Sequence, residues 1–166
     1  MLPRRVVLIL VVLVLAVLGG RLAIQRDDAS PAGVQAEVTR IVDGDTIHVD
    51  LDGTDETVRY IGVDTPESVK PGTPVECFAK KASAFNARLV EGEDVKLRFD
   101  VERHDRYGRL LAYVYRAGDG LFVNAELIRR GYARTLTVPP NVRFAERFAR
   151  LQREAREARR GLWRAC

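Results

Sequence analysis

Short segments rich in β-branched residues, separated by turn sequences, set the limits on how this chain folds. Asp43-Gly44-Asp45 and Asp52-Gly53-Thr54-Asp55 combine Asp with Gly, which is typical of tight turns. Around these turns, apolar and polar residues alternate with the period of two that a half-buried strand requires. The pattern predicts five strands, at residues 34–42, 46–51, 56–63, 93–101 and 109–115.

Apolar residues at helical spacing predict three helices among these strands. The helices are expected at residues 75–90, 123–130 and 144–160, and they are followed by Gly92, Gly131 and Gly161. Three strands, one helix, two strands and two helices make an α+β chain that is mainly β. This order predicts a five-stranded OB-fold barrel packed by three helices, occupying residues 34–166.

The N-terminal 24 residues have the composition of a targeting segment. Arg4 and Arg5 precede an apolar run at residues 6–18 that has no polar face. Two interpretations remain open, a cleaved signal peptide and an uncleaved membrane anchor. In both cases the arginines stay in the cytoplasm, so the folded domain is expected outside it, after a linker at residues 25–33.

The basic balance of the chain does not identify a partner. The formal net charge is +4, but four of the 27 basic residues lie in the first 26 positions, where there are no acids. The remainder has 23 basic and 23 acidic residues, so overall charge gives no argument for nucleic acid. Residues 43–67 hold eight acids and one base, a charge that a bound cation would relieve. Residues 143–164 hold eight arginines and three glutamates, which form either a solvated helix face or a surface that faces an anion.

The chain has two cysteines, Cys77 and Cys166. In an oxidising compartment an even number permits one disulfide, which would join the start of the first helix to the C-terminus. Closing so long a loop would stabilise the fold by roughly 4 kcal/mol. The alternative is a buried free thiol at Cys77 and a free thiol at the end of the chain.

The acid-rich segment carries residues suited to phosphodiester hydrolysis. Asp45 and Asp64 lie near opposite ends of a predicted hairpin that a twisted barrel can bring together, and such carboxylates suit a hard divalent cation. Glu67 follows Asp64 by three residues and could hold or deprotonate an attacking water. Arg59 and Arg109 could cover the non-bridging oxygens of a phosphate as charge builds in the transition state.

Spacing alone also fits simpler roles for these side chains. Asp43 suits a turn, Asp64 or Thr65 suits a helix cap, and the two arginines suit ordinary ion pairs. The only histidines, His48 and His104, have no second His or Cys at metal-ligand spacing, so a zinc site is not expected. The sequence also lacks a Gly-x-Ser-x-Gly motif and a phosphate-binding glycine-rich loop.

Three motifs occur in a characteristic order along the chain. They are Val42-Asp43-Gly44-Asp45-Thr46, Arg59-Tyr60-Ile61-Gly62-Val63-Asp64-Thr65-Pro66-Glu67 and Asp105-Arg106-Tyr107-Gly108-Arg109-Leu110-Leu111-Ala112-Tyr113. Shorter matches are Ala82-Ser83-Ala84-Phe85, Val123-Asn124-Ala125-Glu126-Leu127 and Gly161-Leu162-Trp163. Together they resemble the staphylococcal nuclease (thermonuclease) family over about residues 34–163.

This resemblance implies a five-stranded OB-type barrel with three helices and a monomeric, calcium-dependent endo- or exonuclease acting on DNA and RNA. It implies cleavage between phosphorus and the 5′ oxygen, leaving 3′-phosphate and 5′-hydroxyl ends. By resemblance, Ca²⁺ is held by Asp45, Asp64 and the Thr65 carbonyl, the catalytic residues are Arg59, Glu67 and Arg109, and Arg106 and Tyr107 lie beside the bound nucleotide. Nucleic acid is the implied partner, with the membrane as a second one if the N-terminal segment is retained.

One loop departs from the family's pattern. The best-known member carries tyrosines in the loop after the second helix, where they line the nucleotide pocket. Residues 136–140 of this chain, Leu-Thr-Val-Pro-Pro, contain none. Because stacking on an aromatic ring contributes ~1–3 kcal/mol per base, we expect weaker mononucleotide binding with the chemistry retained.

Two hypotheses compete with a calcium-dependent nuclease. The first is a non-catalytic nucleic-acid-binding OB module on the cell envelope, although such modules usually lose the acids or arginines that this chain keeps. The second is a structural module whose acids bind calcium only for stability. Replacing Glu67 separates them, because only an enzyme would lose rate while keeping its fold.

Overall fold

A computed structural model describes residues 33–67, 72 and 74–166. Within this part of the chain, the strands are β1 (Val34–Ile41), β2 (Thr46–Leu51), β3 (Thr54–Tyr60), β4 (Gly62–Asp64), β5 (Asp94–Arg98), β6 (Leu110–Arg116) and β7 (Arg134–Leu136). The helices are α1 (Ala79–Val90) before β5, α2 (Val123–Arg129) before β7, and α3 (Ala145–Glu157) and the short α4 (Leu162–Ala165) after it. The predictions for residues 1–24 and for most of the linker fall outside the described residues.

Five of the strands form a closed barrel in the order β1-β2-β3-β6-β5. The β3–β6 pair is parallel and the other pairs are antiparallel, and β5 closes the barrel on β1. A two-residue turn at Asp52-Gly53 joins β2 to β3, as its sequence predicted. The barrel and the helices α1, α2 and α3 around it confirm the predicted OB-type α+β fold.

Alternation along the strands produces the core. In β2 and β3, Ile47, Val49, Val58 and Tyr60 are almost fully buried inside the barrel, whereas their sequence neighbours are more exposed. Removal of this apolar surface from water is the main stabilising contribution to the barrel. No helix among the described residues is long and apolar enough to cross a membrane.

The predicted third strand, residues 56–63, is interrupted in the structure. It leaves the barrel after Tyr60, and β4 pairs with β7 in a separate two-stranded sheet. Gly62 at the break has a φ of +77°, and a Cβ there would lie 2.5 Å from Cε2 of Phe148. A glycine is therefore needed for both the backbone conformation and the approach of α3. Asn124 of α2 holds the break by donating a 2.9 Å hydrogen bond to the Ile61 carbonyl.

Two helices are shorter than predicted. The first begins at Ala79 rather than at residue 75, because Phe78 has a φ of +73° and interrupts the helical backbone. The third ends at Glu157 rather than at residue 160, and Arg159 has a φ of +48°. The chain then turns so that Leu162 is buried, 2% exposed.

Candidate active site

A rigid turn places the first acidic residues. The Asp45 backbone N–H donates to Asp43 Oδ1 at 3.0 Å, which is the Asx-turn that Asp-Gly-Asp favours. Asn86 of α1 donates from Nδ2 to the Asp43 carbonyl at 2.9 Å, and it accepts a 2.9 Å hydrogen bond from the Tyr60 hydroxyl. Helix α1 and the barrel wall thus fix the turn, a role for Asn86 that the sequence did not reveal.

Asp45 is brought to Thr65 by the break after β3. The Thr65 backbone N–H and its Oγ1 donate to Asp45 Oδ2 at 2.7 and 2.9 Å. A Cβ at Gly44 would lie 2.7 Å from the Thr65 side chain, so the turn must carry glycine for this approach. The two ends of the 43–67 segment therefore meet, as predicted. They meet because the chain bends after β3 and not because the segment forms one continuous hairpin.

Arg59 joins the two aspartates predicted as metal ligands. Its Nη1 lies 3.0 Å from Asp45 Oδ1, and its Nη2 lies 3.6 Å from Asp64 Oδ1. Nη1 also donates to the Val63 carbonyl at 2.7 Å, so the guanidinium is oriented by backbone as well as by charge. Asp45 is only 4% exposed, and this pairing compensates the loss of water around its carboxylate.

Arg109, the second predicted phosphate ligand, is positioned by Asp105. Arg109 donates from Nε to Asp105 Oδ2 at 2.7 Å and from its backbone N–H to Oδ1 at 3.0 Å. The Tyr107 backbone N–H donates to the same Oδ1 at 2.9 Å. Burial alone would raise the pKa of Asp105, but these hydrogen bonds outweigh it and hold the pKa below its ordinary value. Asp105 was assigned no role from the sequence, although an acid four residues before Arg109 is a usable signal.

The arginines open onto a cavity of about 500 Å³. Tyr107 lines it and is 68% exposed, and Arg106 and Arg109 place their guanidinium carbons 4.8 and 5.4 Å from the centre of the Tyr107 ring. Leu136 and Val138 supply aliphatic lining. Tyr107 is thus an exposed aromatic side chain at this cavity.

Asn141 fixes the wall of this cavity. Its Nδ2 donates to the Glu102 carbonyl and its Oδ1 accepts from the Glu102 backbone N–H, both at 2.8 Å. Asn141 is 6% exposed, so the two hydrogen bonds replace those it would make with water. Pairing between these distant loops is a tertiary contact, and the sequence carries no local signal for it.

Glu67 is hydrogen-bonded to Glu76 through its backbone. Its backbone N–H donates to Glu76 Oε2 at 3.1 Å, and its carbonyl accepts from the Glu76 backbone N–H at 3.0 Å. Cys77 comes next in the chain and forms a disulfide with Cys166, with sulfurs 2.11 Å apart. The disulfide therefore connects the chain beside the Glu67–Glu76 pair to the C-terminus.

The groups predicted as metal ligands are all oxygen donors. Asp45, Asp64 and the Thr65 carbonyl offer only oxygen atoms, which Ca²⁺ prefers to nitrogen or sulfur. Among the described residues, no group of three or more His, Cys, Asp and Glu side chains could hold a metal ion. A pair of carboxylates leaves most coordination positions to water or substrate oxygens, which suits an exchangeable catalytic ion.

Asp43 is the titratable group of the turn with a raised pKa. Burial and the nearby negative charge of Asp45 raise the pKa of Asp43 from 3.8 to about 6, against the lowering effect of hydrogen bonds and Arg59. A carboxyl with a raised folded-state pKa destabilises the fold when it is ionised in both states, which is the case above about pH 6. The cost disappears as the pH falls below 3.8, where both states are protonated.

Asp43→Asn is therefore expected to stabilise the metal-free protein by roughly 2 kcal/mol at pH 8, because the amide keeps the turn and removes the charge. The gain should shrink as the pH falls below 6 and be mostly lost near pH 4. Urea unfolding in chelator at several pH values measures this. A gain that stays constant from pH 4 to pH 8 would show that ionisation of Asp43 is not its cause.

Several known proteins match this chain over most of its length. The family model for "Staphylococcal nuclease homologue" matches residues 57–165. The chain is 41% identical over 154 residues to "Thermonuclease" of Staphylococcus intermedius, covering 93% of this chain and 90% of the relative. It is 44% identical over 127 residues to "Thermonuclease" of Staphylococcus hyicus, covering 76% and 74%. It is 41% identical over 132 residues to "Endonuclease YncB" of Bacillus subtilis (strain 168), covering 78% and 62%.

Proposed function

Because the chain belongs to the staphylococcal nuclease family, we propose that it is a calcium-dependent nuclease that hydrolyses DNA and RNA outside the cytoplasm. The family match bears out the resemblance seen in the motifs. The observation that carries the proposal is Arg59, which lies against both Asp45 and Asp64 at the mouth of a cavity shared with Arg109. Two carboxylates, two arginines and Glu67, which follows Asp64 by three residues in the chain, provide each group that phosphodiester hydrolysis needs.

The acids and arginines have complementary roles in this proposal. Asp45, Asp64 and the Thr65 carbonyl would hold Ca²⁺, which supplies positive charge beside the phosphate. Arg59 and Arg109 donate hydrogen bonds to the non-bridging oxygens, whose negative charge increases as the water adds to phosphorus. Their guanidinium groups are held in place before the substrate arrives, so little reorganisation is needed in the transition state.

Glu67 acts on the attacking water. Its carboxylate accepts a proton as the water oxygen forms a bond to phosphorus, and the bond from phosphorus to the 5′ oxygen breaks. The leaving 5′ oxygen takes a proton from solvent, so the products are a 3′-phosphate and a 5′-hydroxyl. Arg106 and Tyr107, at the cavity, contact the nucleotide that carries this phosphate.

Location and chain organisation are part of the proposal. Residues 1–24 act as a signal peptide or membrane anchor, residues 25–33 as a linker, and residues 34–166 as a monomeric nuclease domain. The disulfide between Cys77 and Cys166 supports an oxidising location for this domain.

The purified full chain is expected to degrade single-stranded DNA and RNA in millimolar Ca²⁺, leaving ends that are 3′-phosphate and 5′-hydroxyl. Mass spectrometry of a digested synthetic oligonucleotide measures the mass of each end. Ends of 5′-phosphate would contradict the assigned bond cleavage. Saturable binding of the oligonucleotide without any cleavage would favour the non-catalytic OB module instead.

A further inference from the structure

Five exposed arginines lie on the segments that meet at the C-terminal end of the domain. We call this group the C-terminal arginine patch, and its members are Arg134, Arg156, Arg159, Arg160 and Arg164. They come from β7, the last turn of α3, the segment after it, and α4. Neither the hydrolytic site nor the fold itself explains why so many arginines lie together.

Backbone packing brings these segments together. The Leu162 backbone N–H donates to the Gly131 carbonyl at 2.8 Å, and a Cβ on Gly131 would lie only 2.3 Å from the Arg160 carbonyl oxygen. Arg160 also donates from Nη1 to the Arg129 carbonyl at 3.1 Å. The chain end after α3 is therefore fixed against the end of α2.

Trp163 lies at the centre of the patch. The guanidinium carbons of Arg156 and Arg134 lie 5.1 and 5.9 Å from the Trp163 ring, and this ring is half-buried. A cation within about 6 Å of an aromatic face is attracted to it, so the ring holds two arginines in fixed positions. Because the guanidinium groups are ordered in advance, an anion that binds them costs less side-chain entropy.

The arginines of the patch outnumber the acids beside them. Among the described residues, no ion pair involves any of its five arginines. Glu126, a nearby acid, is already paired with Arg129 and Arg130. Glu154 and Glu157 are the acids of α3 nearest to the patch in the chain, so positive charge remains in excess, and an extended polyanion would relieve the repulsion.

The patch is continuous with the proposed active site. Arg134 of β7 lies directly opposite Asp64 of β4 in their antiparallel pair. Side chains of directly opposite residues point to the same face of a sheet, with Cβ atoms about 4.5–5.5 Å apart. Arg134, Trp163 and Arg156 therefore follow one another along the surface that leads away from Asp64.

We propose that the C-terminal arginine patch binds the phosphates of the substrate strand on one side of the scissile bond. This inference rests on the proposed nuclease function and extends it, because it assigns a strand-binding surface outside the catalytic cavity. Arginines interleaved with an aromatic ring and leading from the metal ligand fit a single-stranded polynucleotide. For the end of the arginine-rich segment, the proposal takes the interpretation of a surface that faces an anion.

Because the patch would bind only longer strands, we expect kcat/KM to depend on substrate length. A three-nucleotide substrate bound at the catalytic cavity would reach Arg134 at most and not Arg156 or Arg160, whereas a twenty-nucleotide strand would reach all three. Each phosphate contact also contributes about −0.7 to the slope of log affinity against log salt for single strands. The long substrate should therefore show a steeper salt dependence of kcat/KM than the short one.

The test compares Arg156→Gln/Arg160→Gln with Arg40→Gln/Arg88→Gln, a control pair of exposed bases on β1 and α1. For an oligothymidine of twenty nucleotides, the first pair should lower kcat/KM about tenfold and reduce the salt slope by about 1.4. On the trimer both pairs should match the wild type. Arg156→Lys/Arg160→Lys keeps the charge and should restore the salt slope, and thermal unfolding confirms that each variant folds.

Several results would overturn the inference. An equal loss on the twenty-mer and the trimer would assign the arginines a structural role, and no loss on either would remove the patch from substrate binding. Weaker binding to vesicles of anionic phosphatidylglycerol, with oligonucleotide binding unchanged, would assign the patch to lipid headgroups. If the wild-type chain cuts neither substrate, the proposed function fails, and anisotropy of the labelled twenty-mer and trimer tests the patch by binding alone.

Discussion

Arg59→Ala is expected to lower kcat for single-stranded DNA about a thousandfold. Arg59 donates in the proposed transition state, and removal of one preorganised donor of this kind typically lowers kcat 10²–10³-fold. The loss should lie at the upper end because Arg59 also orients Asp45 and Asp64, from which its nitrogens lie 3.0 and 3.6 Å away. Initial rates in saturating Ca²⁺ measure the effect.

The effect of Arg59→Ala on stability must be separated from its effect on catalysis. Asp45 is buried, so loss of Arg59 leaves a buried carboxylate without its cation and destabilises the fold. Arg59→Lys keeps the charge and loses the two-pronged geometry, so it should retain most of the stability and lose most of the rate. Arg40→Ala, a matched change at an exposed arginine of β1, should leave kcat unchanged. A folded Arg59→Lys enzyme with wild-type kcat would contradict the role given to Arg59.

Cys77→Ser/Cys166→Ser is expected to lower the free energy of unfolding by about 4 kcal/mol. The disulfide closes a loop of 89 residues, and a cross-link of that span removes a large amount of conformational entropy from the unfolded chain. Urea unfolding of the variant and of the wild type, both without reductant, measures the difference. It is a large fraction of the stability of a domain of this size.

A thiol reductant supplies the control for this prediction. Dithiothreitol should lower the stability of the wild type to that of the double variant, and it should leave the double variant unchanged. A loss below about 1 kcal/mol would show that the unfolded chain gains little entropy when the link is cut. Because Cys77 follows Glu76, which is hydrogen-bonded to Glu67, the reduced enzyme should also show a lower kcat.

The barrel was predictable because its signals are local. Alternation and the Asp52-Gly53 turn predicted β2 with its observed bounds and placed β3 correctly up to Tyr60. The break at Gly62 was missed, although a glycine inside a strand pattern is itself a signal for an irregularity. The approach of the Phe148 ring from α3, which requires that glycine, is a tertiary contact without a local signal. A pattern with a period of two describes a strand but does not say to which sheet the strand belongs.

The candidate site shows the same difference between features with local sequence signals and features that depend on tertiary contacts. The charged groups, Asp45, Asp64 and Arg59, were identified from residue type and order, and the structure places Arg59 within ion-pair distance of both aspartates. The residues that position the site were missed. Asn86 and Asn141 act by hydrogen bonds to backbone groups 43 and 39 residues away, and one sequence carries no signal for such partners.

The most direct test of the central claim is a parallel time course of single-stranded DNA cleavage by the full chain and by Glu67→Gln. We expect the wild type to degrade the DNA in millimolar Ca²⁺ and to stop when chelator is added. The Glu67→Gln protein, with an unchanged fold, should be slower by about two orders of magnitude or more, since it lacks the group that accepts the proton. Intact DNA with the wild type in Ca²⁺, or equal rates for the two proteins, would contradict a calcium-dependent nuclease that uses Glu67.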